Sequence, residues 1–451
     1  MTSTTDETAL ISRPEDPLPI GRAFLLGLQH VLAMDVYVVP FIVASALMLP
    51  VADTAMLIQA TFVAAGLATI VQSQFGIRLP VVQGPSYVPI GAVLAVAFAS
   101  GGGTAGLSAV FGALMPGAVL LVFAGTPTGL VHRAIGRLVP PLVGGTIILV
   151  VGIGLMPVAL RENIFATHGA GTIGGNILLA GVSAALLVVC MMTGLSLGKR
   201  GTWLRTSAVI IAMAGGCLVA VALGRLDGQA LTTAPWLIRP RVAFVDFGVS
   251  FSLPASLTMI LVYLVVLAET TGTWFAVGAV IDEPVTDDRL DRGASGEGLG
   301  CLLSALLGST PVTGYSSNAG IIAITGIASR TAFAAAGAVL ILLGLVGKLS
   351  AAIASIPSPI IGGIFGVLCA IIAMNGFRVI RSAPLTERNM LVAGLPILLA
   401  LFADLMPIDY LRSLPDMAQY FLGSSIAVGA VAAILLNLVL PQDRQGAGPR
   451  P

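Results

Sequence analysis

The sequence predicts an all-α polytopic membrane protein with 14 transmembrane segments arranged as a 7+7 inverted repeat. Three observations predict it: a uniformly apolar composition, a succession of span-length apolar stretches, and a likeness between the two halves. Of all residues, 57% are apolar and 10% charged, and the mean hydropathy is +1.00. Ordinary soluble domains carry about 25% charged residues. A span of the hydrocarbon core needs roughly 20 apolar residues.

Apolar stretches fall near 21–49, 54–76, 79–100, 104–125, 138–160, 175–197 and 203–224 in the first half. The second half supplies 252–281, 297–309, 311–328, 331–353, 357–379, 390–407 and 416–440. Basic residues test this topology, because cytosolic loops carry the excess of Lys and Arg. With a cytosolic N-terminus, the opposite face keeps Arg161, Arg225, Arg239, Arg241, Lys348 and Arg412, which leaves sixteen of the 22 basic residues inside. Both termini are therefore expected in the cytosol. The start, MTSTTDETALISRPEDPLPI, lacks the basic head and apolar middle of a signal peptide and reads as a short tail. A bacterial plasma membrane is the expected location.

PPLVGGTIILVVGIGL from Pro140 parallels PSPIIGGIFGVLCAII from Pro357. An odd number of spans per half inserts the second copy upside down, and such transporters place substrate at interrupted spans in corresponding positions. Two segments qualify. VVQGPSYVPIGA gathers Gly84, Pro85, Pro89 and Gly91, and STPVTGYSSNAG gathers Pro311, Gly314 and Gly320. Neither suits a continuous helix. Broken backbone at membrane depth must be buried in protein or line a wet cavity, so Gln83–Tyr87 and Thr310–Gly320 are expected to line a site.

Glu269 lies deep in ILVYLVVLAETTGTWFAVGAV, a run otherwise free of charge. A central carboxylate costs roughly 2.5 to 3.5 kcal/mol on insertion scales, so it persists where it faces a pathway and meets a partner. It can accept hydrogen bonds from a planar ligand when ionised and carry a proton when neutral. Asp35 and His30, in the first span, are further candidates for a proton path.

Other functions find little support. Net charge is +1 with basic residues scattered, so no nucleic acid partner is expected. Cys190, Cys217, Cys301 and Cys369 lack metal-site spacing and read as buried hydrophobes. No HExxH motif, P-loop or activated nucleophile suggests an enzyme, a metal or a cofactor. The acidic loop DEPVTDDRLDR reads as a solvated turn.

At these residues the chain resembles the nucleobase–ascorbate transporters (nucleobase:cation symporter-2, xanthine/uracil permease type). The likeness rests on Gln29 and His30 in GLQHVLAM, QGPSY at Gln83–Tyr87, ETTGT at Glu269–Thr273, and SNAGIIAITG at Ser317–Gly326. It implies a core domain (21–125 and 251–355), a gate domain (126–250 and 356–440), and tails at 1–20 and 441–451. It also implies short antiparallel strands in spans three and ten, elevator-like movement, a lipid-embedded chain and often a homodimer. Carried over by position, Glu269 would hold the base, Ser86, Tyr87 and Thr273 would contact it, Tyr315, Ser316 and Ser317 would line the opposite wall, and Asn318 would brace the site.

The sequence departs from the family at Thr273, where Asp or His is usual, and at Ser317, where Gln or Glu is usual. The first span is shorter after Met34, and Asp35 takes a position normally uncharged. The expected function is proton-coupled import of a nucleobase, with a purine such as xanthine or urate ahead of uracil. An anion carrier of the same fold is the alternative from another class, opposed by the absence of Lys or Arg in the two broken segments.

Overall fold

The chain is helical almost throughout. In its first half come α1 (Ile20–Leu32), α2 (Val38–Ala46), α3 (Val51–Gln74), β1 (Gln83–Pro85), α4 (Ile90–Ala99), α5 (Gly103–Gly125), α6 (Leu130–Leu138), α7 (Pro141–Pro157), α8 (Ile173–Ser196), α9 (Thr202–Thr206) and α10 (Ala208–Ala222). Two short turns, α11 (Gln229–Thr233) and α12 (Ala243–Asp246), lead to α13 (Leu253–Ile281), α14 (Asp287–Leu307), β2 (Val312–Gly314), α15 (Ser317–Thr325), α16 (Arg330–Gly344) and α17 (Gly347–Ala354). The chain closes with α18 (Ser358–Ile380), α19 (Glu387–Asp404), α20 (Ile408–Ser413), α21 (Asp416–Leu422) and α22 (Ser425–Val439). This computed structural model describes residues 10–32, 34–126, 128–167, 171–226, 229–384 and 386–441. Residues 1–9 of the first expected tail and 442–451 of the second, Arg444 and Arg450 among them, lie outside the described residues.

Six helices are long and apolar enough to cross a membrane unaided: α3, α5, α7 with its π-helical continuation to Phe165, α8, α13 and α18. The protein is thus an integral membrane protein of polytopic, mostly helical fold. Several expected spans are not single helices. The stretch 21–49 divides into α1 and α2 around Asp35, whose carboxylate turns to the Tyr87 hydroxyl instead of sitting unpaired in a helix facing lipid. The stretch 331–353 divides into α16 and α17, and 416–440 into α21 and α22, which meet at 86°. The expected 297–309 is only the second half of α14. That helix starts ten residues earlier, at Asp287, because Thr286 caps it and Asp287 and Asp288 suit the positive end of its dipole.

Helices pack as two groups. One holds α1, α3, α5, α13, α14 and α16, joined through α3–α16, α5–α14, α3–α14, α1–α16 and α5–α13. The other holds α7, α8, α10, α18, α19 and α22, joined through α7–α18, α8–α18, α8–α10, α7–α19 and α19–α22. Small residues set the closest crossings, as expected where lipid offers no hydrophobic drive to association. A Cβ on Gly66 would stand 2.4 Å from the Gly337 carbonyl oxygen, and one on Gly376 would stand 2.3 Å from the Leu149 nitrogen. The N-terminal segment ties to the α15–α16 turn through a Ser12–Ile327 bridge and a Glu15–Arg330 ion pair.

Gly376→Ala, which forces α7 and α18 apart, is expected to destabilise the purified protein by about 2 kcal/mol. Gly366→Ala on the same helix meets open space and serves as the control. Thermal unfolding in detergent reads the difference; equal melting temperatures would contradict the packing described.

Candidate functional site

The two broken segments pair. β1 and β2 form an antiparallel ribbon with Gln83 opposite Gly314, Gly84 opposite Thr313, and Pro85 opposite Val312. It is extended by Ser86 N–H donating to the Pro311 carbonyl (2.8 Å) and Tyr315 N–H donating to the Val82 carbonyl (3.0 Å). Helical threonines finish its outer edges. The Thr69 hydroxyl on α3 accepts from Gln83 N–H at 2.9 Å. On α13, Thr270 accepts from Gly314 N–H at 3.1 Å and Thr273 donates to the Gly314 carbonyl at 3.0 Å. Gly84 is required here because a Cβ would lie 2.3 Å from the Tyr315 ring.

From the ribbon the chain resumes as α4 and α15, helices of 10 and 9 residues. Each is about 15 Å long, half a hydrocarbon core. Tyr87, just before α4, and Ser317, which starts α15, help line a cavity of about 220 Å³ together with Leu32, Met34, Asp35, Tyr37, Val209, Ile210, Tyr315, Ser316, Leu368, Ile371 and Ile372. The lining draws on both helix groups.

Asp35 is the charged residue of that lining, and its carboxylate accepts from the Tyr87 hydroxyl. The Tyr87 ring stacks on Phe365 of α18, centroids 5.5 Å apart and planes at 20°. Tyr315 donates its hydroxyl to the Pro85 carbonyl at 3.2 Å, and the buried Tyr37 hydroxyl has no protein partner. Such a cavity offers aromatic faces, one carboxylate and a free hydroxyl, a set suited to a small planar ligand with ring N–H and carbonyl groups.

Of the residues singled out by sequence, Asp35, Tyr87, Tyr315, Ser316 and Ser317 line the cavity. Glu269, Ser86, Thr273, Asn318 and His30 stand behind that wall. Glu269, half-buried, accepts from the Ser86 hydroxyl at 2.7 Å. Thr273 spends its hydroxyl on the ribbon. Asn318 donates to the Tyr315 carbonyl at 2.9 Å, and its Oδ1 lies 3.1 Å from His30 Nδ1.

Sequence reasoning missed a second buried carboxylate. Glu297 on α14 accepts from Gln72 Nε2 at 2.8 Å, while its Oε1 has no partner. Gln72 is fully used, donating also to the Gly293 carbonyl at 2.8 Å and accepting from Ile77 N–H at 3.0 Å. The buried Gln83 side chain on β1 has both polar atoms unpaired. Buried groups of this kind ordinarily hold ordered water. Glu297 sits in the Gly-rich run GASGEGLG of a helix that carries five charged residues among its first six, so it does not stand out as Glu269 does in its uncharged run. Tyr37 and Phe365 carry no sequence signal beyond being aromatic in an apolar run.

Paired half-helices at a mostly apolar cavity with one carboxylate, between two groups of helices, have the form of a membrane carrier. The sequence model of the Permease family, whose members are xanthine/uracil permeases of the nucleobase:cation symporter-2 group, matches residues 21–408, and the chain belongs to this family of transporters, not to an enzyme family. It is 32% identical to the uric acid permease PucK of Bacillus subtilis over 92% of this chain and 95% of that one. With the xanthine permease XanP of Escherichia coli it shares 30% identity over 98% of this chain and 96% of that one. Among solved structures, the transmembrane domain of the cyanobacterium bicarbonate transporter BicA superposes with a TM-score of 0.63 at 16% identity, covering 89% of this chain and 99% of that one. That likeness is one of fold.

Gly84→Ala should lower the melting temperature, since its Cβ must displace the Tyr315 ring. Gly320→Ala, with nothing within 4 Å, should leave it near wild type. The reverse order would contradict the ribbon geometry.

Proposed function

We propose that this chain imports a nucleobase into a bacterial cell by proton symport, taking a purine such as xanthine or urate before uracil. The observation that carries this reading is the cavity beside the strand ribbon, walled by Tyr87 and Tyr315, with the Asp35 carboxylate in it and Glu269 behind Ser86. PucK and XanP are named for uric acid and xanthine, which supports a purine. In this reading Glu269 accepts ring N–H groups of the base, with Ser86, Tyr87, Thr273, Tyr315, Ser316, Ser317 and Asn318 forming or supporting the remaining contacts. Protons pass through Glu269, Asp35 and His30, with Asp35 supplying acidity that Thr273 lacks.

We assign 14 spans in a 7+7 inverted repeat, a core domain carrying the ribbon and a gate domain beside it. The packing supports this: exchanging the halves turns α3–α16 into α14–α5 and α8–α10 into α19–α22, while α7–α18 and β1–β2 map onto themselves. Both termini then face the cytosol of the inner membrane, and the base cavity, reached past Val209 and Ile372, opens inward. A homodimer is compatible with this arrangement. An anion carrier is disfavoured because no Lys or Arg lines the cavity among the described residues.

Cells expressing the protein should take up labelled xanthine or urate saturably, and a protonophore should abolish uptake. Glu269→Gln should reduce uptake by about tenfold or more, the loss expected when a charge-assisted hydrogen bond is removed from a buried site. Full activity in that variant, or uptake of sulfate that bases do not inhibit, would refute the assignment. Asp35→Asn should leave base binding measurable and remove the proton dependence of uptake; proton-driven uptake unchanged by Asp35→Asn would assign the coupling elsewhere.

A further inference from the structure

A second cavity, of about 610 Å³, lies between the same two helix groups at the other end of α18. Val51 and Ala354 contribute from one group, and Asn176, Arg225 and Pro359 from the other. Along α18 the two cavities are separated by the nine helical steps between Pro359 and Leu368, about 14 Å of helix. Ile361, Ile364 and Phe365 fill that interval and are buried. Since α16 and α17 run away from the turn that holds Ser12, the second cavity lies on the face opposite the N-terminal segment.

Arg225 gives this cavity its chemistry. Its Nη2 donates to Asn176 Oδ1 at 2.6 Å, and Asn176 is itself fixed by donating to the carbonyls of Ile164 (2.9 Å) and Ala166 (3.0 Å). The other terminal nitrogen, Nη1, is buried without a partner. No carboxylate lines the cavity among the described residues. Fixed by Asn176 and facing no carboxylate among the described residues, the guanidinium leaves its positive charge uncompensated at the cavity.

We propose that this cavity is an outer vestibule in which Arg225 collects small planar organic anions, such as the urate monoanion, before they reach the cavity beside the strand ribbon. The inference rests on the nucleobase reading. A fixed positive charge raises the local concentration of anionic substrate and leaves a neutral one unaffected. The inner cavity, whose lining charge is a carboxylate, then selects by hydrogen bonding. Division of labour follows: charge is read outside, and ring pattern inside.

The test compares labelled urate with labelled xanthine at mildly acidic pH, where urate is a monoanion and xanthine uncharged. KM and the maximal rate are measured for the full-length wild type, Arg225→Gln, Arg225→Lys and Ser355→Asp. Arg225→Gln should raise KM for urate about three- to tenfold, with the maximal rate and the xanthine KM unchanged. Arg225→Lys should stay near wild type. Ser355→Asp adds a negative charge to the lining without breaking the Arg225–Asn176 bond, and should raise the urate KM alone. If Arg225→Gln fails to reach the membrane, Ser355→Asp decides. Variants that shift both purines equally, or neither, overturn the vestibule while wild-type uptake upholds the nucleobase reading. A wild type that carries neither purine overturns both.

Discussion

The structure depends on satisfying the backbone of two broken spans inside a bilayer. An unpaired amide there costs several kcal/mol, and QGP and VTG each lead as extended backbone into a half-length helix. Pairing them as an antiparallel ribbon satisfies the inner edges, and hydroxyls from α3 and α13 satisfy outer ones at Gln83 and Gly314. Thr69, Thr270 and Thr273 are thus structural necessities of the break. With three paired residues on each strand, one of them glycine, the ribbon tolerates little added bulk, and the Tyr315 ring lies directly over Gly84.

From that ribbon the rest follows. Two half-length helices must begin near each other, so residues that lead into them, Tyr87 on one side and Tyr315 to Ser317 on the other, meet at a cavity between the helix groups. Carboxylates placed near such a site need partners, and each has one: Ser86 for Glu269, Tyr87 for Asp35, Gln72 for Glu297. The Tyr87–Asp35 bond and the Tyr87–Phe365 stack join one helix group to the other across the cavity. Movement of either group relative to its neighbour must therefore repack Tyr87 and Phe365.

Much of this was legible in the sequence because membrane energetics leave few solutions. Gly and Pro clusters at 83–91 and 311–320 marked the breaks, and Glu269 stood out in an uncharged run. Spans with internal turns were harder, since hydropathy averages over Asp35 and over the bend between Leu422 and Ser425. Glu297 was hidden by its place in the Gly-rich run GASGEGLG, whose low hydropathy reads as a loop although small residues let that helix pass between α3 and α5. Partnerships such as Thr273 with Gly314 join residues far apart in sequence and leave no local trace.

The same fold in a bicarbonate transporter shows that the fold alone does not fix cargo. In the reading proposed above, cargo is selected by what projects into the cavity: Tyr87 and Tyr315, the Asp35 carboxylate and the unpaired Tyr37 hydroxyl, with Glu269 one hydroxyl away. Equilibrium binding of labelled xanthine to the purified protein tests this account most directly. Saturable binding displaced by urate but not by bicarbonate, and lost in Glu269→Gln, is the predicted result. Binding that survives Glu269→Gln intact, or that bicarbonate displaces, would contradict it.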